Sequence, residues 1–331
     1  MNSNFLRRAI APTAVAASLA LTLAACGGQN TEASTGDGGS GSGDGSGGGA
    51  SGSVAVDGSS TVFPLSDAAA ELLNEENPNI KVTVGSAGTG GGFEAFCAGK
   101  TDISDASRPI DEEEEVPLCE KKGVDYTELQ VAVDALTVVV PADFEVDCIT
   151  TDQLKTMWEP AAQGKVTNWN QVDPSFPDQE LALFGPGTDS GTFDYFTDEI
   201  NGEEGVSRSD YEASEDDNVI VEGVANTDGA LGYFGFTYYE ENADTLKALE
   251  IDSGGGCVAP SVESAQAGDY TPLARPLFIY VANKSYTDEP AVKEYVDYYI
   301  GNLPEIAEAA EYIALNEEQL GETQSALEGI K

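Results

Sequence analysis

Residues 79–98, with the sequence NIKVTVGSAGTGGGFEAFCA, contain the pattern that decides the fold. The segment 79–84 alternates apolar and polar side chains and is rich in β-branched residues, which predicts a strand. A turn of small residues follows at 85–92, and a helix is predicted at 93–98. A strand, a polar turn and a helix in this order form the repeating unit of an α/β fold.

The same order recurs on both sides of this segment. A strand predicted at 53–57 leads through a polar turn to a helix at 64–76. A third strand at 101–104 runs into the turn 105–109, ahead of an acidic helix start at 111–115. We interpret the acidic run as a solvated first turn, since carboxylates favour that end of a helix. Calcium binding is the alternative, although the alternating ligand spacing of an EF-hand is absent.

The rest of the chain continues the alternation. Further strands are predicted at 131–140, 181–184, 229–236 and 277–281, helices at 152–158 and 193–200, and helical pieces over 289–321 with breaks at Gly301 and Pro304. This pattern predicts α/β lobes with covered sheets, and roughly 280 residues are enough for two of them. Ligands in such folds lie outside the carboxyl ends of strands, where N–H groups at helix starts point at them.

Four turns place Ser or Thr at the start of a helix. They are Ser60-Thr61-Val62, Thr89-Gly90, Ser107-Arg108 and Ser190-Gly191-Thr192. Each turn alone is typical of an ordinary N-cap. Their repetition indicates a site for a tetrahedral oxyanion, because hydroxyls donate hydrogen bonds and glycines let the backbone approach closely. Arg108 is the candidate for a bidentate contact with the anion, and the alternative is an Arg108 that pairs with an acidic residue away from the cleft.

The sequence contains no histidine. This excludes Ser-His-Asp and Cys-His catalysis and the commonest zinc sites, so we predict a binding protein without catalytic residues, cofactor or metal ion.

Two other motifs fail on inspection. Gly99-Lys100-Thr101 resembles the end of a P-loop, but Glu94 occupies the position of a required glycine. Asp189-Ser190-Gly191 resembles a hydrolase elbow that lacks its base.

The charge of the chain is strongly negative. Loss of Arg7 and Arg8 with the N-terminal segment leaves 13 of the 15 basic residues against 59 acidic ones, a net charge of −46. Nucleic acid is therefore excluded as a partner. Any bound anion must be held by local donors, because the field of the whole molecule repels it.

The N-terminus has the features of a lipoprotein signal peptide. Arg7 and Arg8 precede an uncharged apolar run at 14–23, which is too short to span a bilayer, and Ala24 and Ala25 precede Cys26. We predict a signal peptide at 1–25 and a lipid on Cys26. The alternative is an ordinary signal peptide with an incidental cysteine. Residues 26–53 are mostly Gly, Ser, Asp and Thr, which predicts a flexible tether.

Four cysteines follow Cys26, an even number that indicates two disulfides in an exported chain. Three connectivities are open. We favour Cys97–Cys119, which closes a short acidic loop, together with Cys148–Cys257. A four-cysteine metal site is the alternative, although no C-x₂-C pair is present.

Four segments in one order and spacing resemble the phosphate-binding proteins of the high-affinity phosphate ABC importer. They are DGSSTVFP at 57–64, GTGGGF at 88–93, ISDASRP at 103–109 and GTDSGTF at 187–193. The resemblance extends from Val54 to the end of the sequence. It implies a two-lobed type II solute-binding protein fold with a hinge of two crossover strands. Lobe one is then 54–134 with 272–331, and lobe two is 135–271.

The resemblance also implies individual contacts to phosphate. The matching positions are Thr61 and the Val62 amide, the Thr89 hydroxyl, Ser107, and Ser190 with the Gly191 and Thr192 amides. We add Ser60, Arg108 and Asp189 to this candidate set.

This chain departs from some members of that family at two positions. Those family members have an aspartate at the position of Ser107, and this aspartate accepts the proton of phosphate. They also have an arginine where this chain has Gly185-Pro186-Gly187. Arg108 is the candidate replacement for the arginine. The candidate acceptors are Asp57, Asp105 and Asp189.

The expected function is that of an extracytoplasmic receptor. It binds inorganic phosphate between the lobes and delivers it to the membrane permease subunits of an ABC importer. We expect a monomer, anchored by lipid to the outer face of the cell membrane. An extracytoplasmic phosphatase and a sensor or adhesin are the alternative functions, and sulfate, molybdate and tungstate are the alternative ligands.

Overall fold

The computed structural model describes residues 49–331, so the predicted signal peptide and Cys26 lie outside the described residues. The strands are β1 (Gly52–Gly58), β2 (Ile80–Val84), β3 (Ile103–Ala106), β4 (Tyr126–Pro141), β5 (Cys148–Thr150), β6 (Ala182–Pro186), β7 (Glu212–Ser214), β8 (Ala230–Gly235), β9 (Leu246–Ala248), β10 (Glu250–Asp252), β11 (Cys257–Val258) and β12 (Ala274–Ala282). No helix among these residues is both long and apolar enough to cross a membrane.

The helices are α1 (Phe63–Glu76), α2 (Thr89–Cys97), α3 (Val116–Lys122), α4 (Thr151–Trp158), α5 (Gly191–Phe196), α6 (Asp217–Ala225), α7 (Phe236–Glu241), α8 (Val262–Gln266), α9 (Asn283–Asp288), α10 (Pro290–Gly301), α11 (Leu303–Ala309) and α12 (Glu317–Glu328). Short 3₁₀ segments occur at Pro160–Ala162 and Trp169–Gln171, and a π-helical segment, Thr197–Asn201, continues α5.

The main sheet has the strand order β2-β1-β3-β12-β4-β8-β6-β7, with β9 also paired to β4. Strands β1, β2 and β3 are parallel, and so are β6, β7 and β8. The strands β4 and β12 run antiparallel between these two groups. Each group carries its own helices, so the molecule is a two-lobed α/β protein whose lobes are joined by two crossover strands.

The two halves of the sheet have separate hydrophobic cores. The first core contains buried residues of β1, α1, α10, α11 and the first half of β4, up to Ala132. The second contains buried residues of α4, β6, β8 and the second half of β4, from Leu136 onward. At the start of β12 the chain leaves the second core, which includes Leu273, and enters the first core, which includes Leu277. The crossover strands therefore belong to both cores.

The predicted strand at 131–140 is the buried centre of β4. Every residue from Val131 to Val140 is buried, since elements cover both faces of the strand there. A strand that is covered on both faces has a continuous apolar sequence rather than an alternating one. The strand extends beyond the prediction at both ends, where all residues except the buried Leu129 are partly or fully exposed.

Several helix boundaries differ from the prediction. Helix α2 begins at Thr89 instead of residue 93, because the glycines themselves form its first turn after Gly88, whose φ is +80°. The acidic run at 111–115 precedes α3 and is not its first turn. There, Asp111 Oδ1 accepts hydrogen bonds from the Glu113 and Glu114 amides. Pro304 does not break a helix. It lies in the first turn of α11, where a missing N–H costs nothing.

The end of the predicted tether is attached to the folded domain. The Ala50 amide donates to Glu294 Oε2, and Asn77 Nδ2 donates to the Ala50 carbonyl. Strand β1 begins at Gly52 by pairing with β2. The ordered structure thus starts a few residues before the predicted boundary at 53.

The favoured disulfide pairing is the one in the structure. Cys97 on α2 is bonded to Cys119 on α3, and Cys148 on β5 is bonded to Cys257 on β11. The first bridge lies on the side of the first core and the second on the side of the other core. Neither bridge ties the two halves of the sheet together.

Gly92 and Gly90, both on α2, provide a matched test of packing at the start of this helix. A Cβ atom on Gly92 would lie 2.5 Å from the Gly58 Cα atom, a backbone contact that no side-chain movement relieves, whereas a Cβ on Gly90 meets nothing within 4 Å. We expect Gly92→Ala to lower the free energy of unfolding by about 2–3 kcal/mol. Gly90→Ala should leave it unchanged or raise it by up to about 1 kcal/mol. Urea unfolding without added anion measures both, and equal stability of the two variants would contradict this packing.

Candidate anion site in the cleft

A cavity of about 530 Å³ lies between the two lobes. Three turns that follow β1, β2 and β3 form one side, because the carboxyl ends of these parallel strands meet at one edge of the sheet. Residues of α5, of the segment after it and of β12 form the other side. The lining residues are Ser59, Ser60, Thr61, Ala87, Gly88, Thr89, Gly90, Gly91, Ser107, Arg108, Pro109, Asp194, Tyr195, Asp198, Glu199, Glu204, Arg275 and Pro276.

The turn after β2 presents unpaired backbone donors to this cavity. The first hydrogen bond of α2 runs from the Gly92 amide to the Gly88 carbonyl, at 2.8 Å. The amides of Thr89, Gly90 and Gly91 have no acceptor among residues 49–331. The N-terminus of a helix carries a partial positive charge, and free N–H groups there bind anions. This turn is therefore equipped to hold an oxyanion.

Two hydroxyl groups connect the second and third turns. Thr89 Oγ1 accepts a hydrogen bond from the Ser107 amide at 3.2 Å and lies 3.1 Å from Ser107 Oγ. Both side chains line the cavity. A hydroxyl can donate to an anion while it accepts from another group, so this pair can face a ligand without losing its mutual contact.

The turn after β1 brings Ser60 and Thr61 into the cavity, but it places Val62 behind the wall. Val62 is fully buried, and its amide donates to the Ser59 carbonyl at 3.2 Å. Thr61 Oγ1 accepts a hydrogen bond from Arg275. The Tyr312 hydroxyl donates to the Thr61 carbonyl and so holds the turn from behind.

Arg108 lines the cavity, and both Nη atoms of its guanidinium already donate to acceptors of the protein. Its two Nη atoms donate to the two carboxylate oxygens of Glu115, each at 2.8 Å, and Nη1 also donates to the Pro109 carbonyl. This bidentate pair is the alternative considered for Arg108, an ion pair with an acidic residue. The pair lies at the rim of the cleft, whereas the alternative placed it away from the cleft. The proposed contact of Arg108 with phosphate stays a prediction.

The turn before α5 stands beside the cavity and not in its wall. Ser190 is the N-cap of α5, and its Oγ accepts from the Thr192 amide at 3.2 Å. Gly191 packs against the first turn, since a Cβ on it would lie 3.2 Å from Thr61 Oγ1. Thr192 lines a separate cavity of about 120 Å³. Asp189 is exposed, and its amide lies 3.4 Å from Glu215 Oε1.

Arg275 is a cavity residue that the sequence analysis missed. It lies on β12, where its backbone register partner is Asp134 of β4. Its Nε atom is 3.3 Å from Asp134 Oδ2, and Nη2 donates to Thr61 Oγ1 at 2.9 Å. The sequence places an arginine just before the apolar run at 277–281. A cation at the end of a buried strand needs a partner, so this position could have indicated a functional arginine.

The other lobe contributes four carboxylates to the same cavity. They belong to Asp194, Asp198, Glu199 and Glu204. Burial raises the pKa of Asp194 and of Glu199, and the nearby Arg275 opposes this rise in both. An anion in the cavity therefore meets donors on one side and acidic groups on the other.

The three aspartates suggested as proton acceptors lie outside the cavity wall. Asp57 Oδ1 accepts from the Gly58 and Ala87 amides and so fixes the glycine-rich turn. Asp105 is fully buried and accepts from Ser66 Oγ at 2.8 Å. Asp189 is exposed next to α5.

One cluster in the described part of the chain has metal-ligating residue types in reach of one another, namely Cys148, Glu250 and Cys257. Both cysteines are joined in a disulfide, so neither offers a thiolate. The residues present do not form a metal site.

The fold and the cleft define a class, the two-lobed solute-binding proteins. A family model described as PBP superfamily domain matches residues 42–302. The chain is 48% identical over 267 residues to Protein SphX of Synechocystis sp., covering 80% of this chain and 79% of that protein. It is 37% identical over 323 residues to the phosphate-binding protein PstS of Staphylococcus saprophyticus, covering 96% and 93%.

A solved structure agrees with these similarities. It is a possible phosphate binding protein from Planctomyces limnophilus, with 44% identity and a TM-score of 0.80, covering 84% of this chain and 98% of that chain. The chain belongs to the phosphate-binding proteins, the substrate-binding components of phosphate ABC transporters, within the PBP superfamily. Proteins of this family bind solutes and are not enzymes.

The buried Asp105 makes stability depend on pH. Burial, reinforced by the charge of Asp57 and opposed by the Ser66 hydrogen bond, raises the pKa of Asp105 to about 8. Its Oδ2 atom has no hydrogen-bond partner. The folded state therefore keeps a proton that the unfolded chain loses near pH 4, and stability falls as pH rises from about 4 towards 8.

We expect Asp105→Asn, which imitates the protonated acid, to gain stability relative to the unmodified protein as pH rises from 5 to 8. The gain should approach but not exceed about 1.4 kcal/mol per pH unit. Urea unfolding at several pH values measures it. Asp143→Asn, at an exposed position, is the control. A stability difference for Asp105→Asn that does not change with pH would contradict a proton held at this site.

Proposed function

We propose that this chain is a receptor that captures inorganic phosphate in the interlobe cleft and delivers it to the permease of an ABC importer. One observation carries the proposal: the unpaired Thr89, Gly90 and Gly91 amides and the Thr89 and Ser107 hydroxyls line one cavity between the lobes. The names of the relatives support phosphate as the ligand.

These donors suit a protein with a large negative charge. The chain has a formal net charge of −44, so the field of the whole molecule opposes an incoming anion. Backbone N–H dipoles at a helix start act at contact distance and are fixed in place before the ligand arrives. Hydrogen bonds to a charged ligand contribute about 1.5–3 kcal/mol each, so four or five of them account for binding against this field.

The contacts that we propose are the cavity-lining members of the candidate set that carry a hydroxyl, which are Ser60, Thr61, Thr89 and Ser107. Arg108 also lines the cavity, but both of its Nη atoms donate to Glu115. Ser190 and the amides of Gly191 and Thr192 join them when the lobes close further, since Gly191 already packs against Thr61. Val62 and Asp189 would need a local rearrangement to reach the ligand. We therefore place them outside the first contacts.

The lobes would close by bending at the crossover strands. The two cores support lobe boundaries near 54–134 with 272–331, and 135–271, because the buried residues of the first core lie in the first lobe and those of the second, apart from Leu273, in the second. A ligand that contacts both lobes stabilises the closed form and shifts the population towards it. Neither disulfide opposes this motion, because each lies within one lobe.

The receptor would work at the outer face of the cell membrane. A lipid on Cys26 and the Gly- and Ser-rich segment that follows would keep a monomeric domain within reach of the permease subunits. Release of the mature protein by mild detergent and an acylated Cys26 at its N-terminus, seen by mass spectrometry, are the observations that would support this arrangement.

Calorimetric titration tests the proposed ligand. The purified protein, stripped of bound anion, should bind one phosphate per chain with micromolar or tighter affinity and give no comparable heat with sulfate at the same ionic strength. Binding of sulfate, molybdate or tungstate as tightly as phosphate would contradict phosphate as the physiological ligand. Absence of heat with every oxyanion at two temperatures would contradict the receptor function.

Asp194 is our candidate for the residue that accepts the proton of bound phosphate. It lies in the first turn of α5, four residues after Ser190, and its side chain lines the cavity. Phosphate carries a proton near neutral pH and sulfate does not, so an ionised carboxylate favours phosphate and repels sulfate. The partly buried carboxylate is also close enough to Arg275 to interact with its charge.

We expect Asp194→Asn to reduce the ratio of phosphate to sulfate affinity by about tenfold or more, since it removes an acceptor and a repulsive charge together. Competitive titration with the two anions measures this ratio. Glu204→Gln removes a charge from the same cavity wall and serves as the matched control. Equal changes in both variants would show that only the general charge matters and would exclude Asp194 as the acceptor.

A further inference from the structure

Arg275 occupies the point where both lobes and the hinge meet. It belongs to the crossover strand β12 and is anchored to Asp134 on the other crossover strand, β4. It donates to Thr61 of the first lobe, at 2.9 Å from Nη2 to Oγ1. Its guanidinium carbon lies 3.5 Å from the ring centre of Tyr195 on α5 in the other lobe. One side chain thus touches the turn after β1 in one lobe and helix α5 in the other.

The guanidinium of Arg275 still has donors for a ligand. Nε points to Asp134 and Nη2 to Thr61, while Nη1 has no acceptor among residues 49–331. The side chain is 19% exposed and lines the cavity. In contrast, both Nη atoms of Arg108 are held by Glu115, and its side chain is 46% exposed. Of these two arginines, Arg275 is the one with a whole Nη group that has no acceptor among residues 49–331, and its side chain is the less exposed.

The position of Arg275 is also set more firmly than that of a surface arginine. Asp134 is a buried residue of β4, so its carboxylate has little freedom and needs a cation beside it. The Tyr195 ring covers one face of the guanidinium, and the Tyr195 hydroxyl is itself fixed to the Pro272 carbonyl at 2.6 Å. A planar fork held in this way loses little further entropy when it binds an oxyanion.

We propose that Arg275 is the guanidinium that receives the anion and couples its capture to closure of the lobes. This inference rests on the receptor function proposed above and deepens it. An anion that accepts from Nη1 of Arg275 and from the α2 amides connects the hinge to lobe one. The stacked Tyr195 carries α5, and with it the Ser190-Gly191-Thr192 turn, towards the same anion.

The charge balance of the cavity supports the same assignment. Arg108 and Glu115 neutralise each other, and four carboxylates face the cavity from the second lobe. Arg275 also has a counterion, Asp134, but that contact is a single one at 3.3 Å from Nε, and the charge of Arg275 still lowers the pKa of both Asp194 and Glu199. Without it a phosphate dianion would face acidic groups with only neutral donors in support.

Three variants of the full protein test the role of Arg275 by titration with phosphate. Arg275→Gln should weaken binding by about 10- to 100-fold, the loss expected for a hydrogen bond between two charged groups. Arg275→Lys keeps the charge without the fork and should fall between. Lys81→Gln removes the same charge from an exposed position on β2 and should change affinity less than twofold.

Arg108→Gln is the competing variant. If Arg108→Gln weakens phosphate binding by tenfold or more while Arg275→Gln stays within threefold of the unmodified protein, the inference is overturned and Arg108 takes the role. A loss in both variants, larger for Arg275→Gln, supports it.

Loss of folding must be separated from loss of the contact. Arg275→Gln alone leaves Asp134 buried without a partner, so the double variant Asp134→Asn/Arg275→Gln removes both charges together. This double variant should unfold at a temperature close to that of the unmodified protein and should still bind phosphate weakly. A well-folded double variant with full affinity would overturn the inference.

Closure of the lobes can be measured directly, and a purely structural role of Arg275 would leave it unchanged. The radius of gyration from small-angle X-ray scattering should decrease when the unmodified protein is saturated with phosphate, and it should decrease less in Arg275→Gln at equal saturation. An equal decrease would overturn the coupling of capture to closure. If the unmodified protein binds no oxyanion, the receptor function fails and this inference with it. If it binds while Arg275→Gln binds equally well, only this inference fails.

Discussion

The antiparallel pairing of β4 with β12 is the constraint on which the rest of the structure depends. These two strands are the middle of the main sheet and the place where one hydrophobic core ends and the other begins. Each strand packs into both cores, so the lobes cannot separate without breaking strand pairs. They can still change their angle, because a strand bends more easily than a packed core deforms. The cleft lies where it does because the parallel strands on both sides end next to this junction.

The same pairing sets the electrostatics of the cleft. Arg275 and Asp134 are register partners on the two crossover strands, which brings one cation and its counterion to the base of the cavity. Elsewhere the protein has a large excess of acidic groups. Binding of an anion against this excess calls for donors without a counter-charge of their own. The backbone amides at the start of α2 and the hydroxyls of Thr89 and Ser107 are such donors, since they present positive dipoles at short range and add nothing to the net charge.

Elements with a strong local signal were predictable from sequence. The apolar run at 131–140 is a buried strand, and the Thr151–Trp158 helix begins at a capping box that a local pattern reveals. The predicted helix boundaries were wrong where tertiary contacts override local sequence preferences. Four residues that were assigned to a turn form the start of α2, because Gly92 packs directly on the Gly58 backbone and holds the glycines in helical geometry. In the acidic run at 111–115, Glu115 pairs with Arg108, and Asp111 accepts hydrogen bonds from amides of the same run. The run therefore does not form the first turn of α3.

The sequence by itself determined the α/β class and the Ser- and Thr-rich turns at helix starts, because these follow from local periodicity and local backbone chemistry. It favoured one of three possible disulfide pairings, and the structure has that one. Only the tertiary structure decided which groups of those turns face the cavity. Arg108 looked free in the sequence and is bound to Glu115, whereas Arg275 gave little signal and reaches Thr61 across a separation of 214 residues. The contact of Arg275 with Thr61 depends on the position that the pairing of β12 with β4 gives to Arg275, and no local pattern encodes a distance between residues so far apart in the chain.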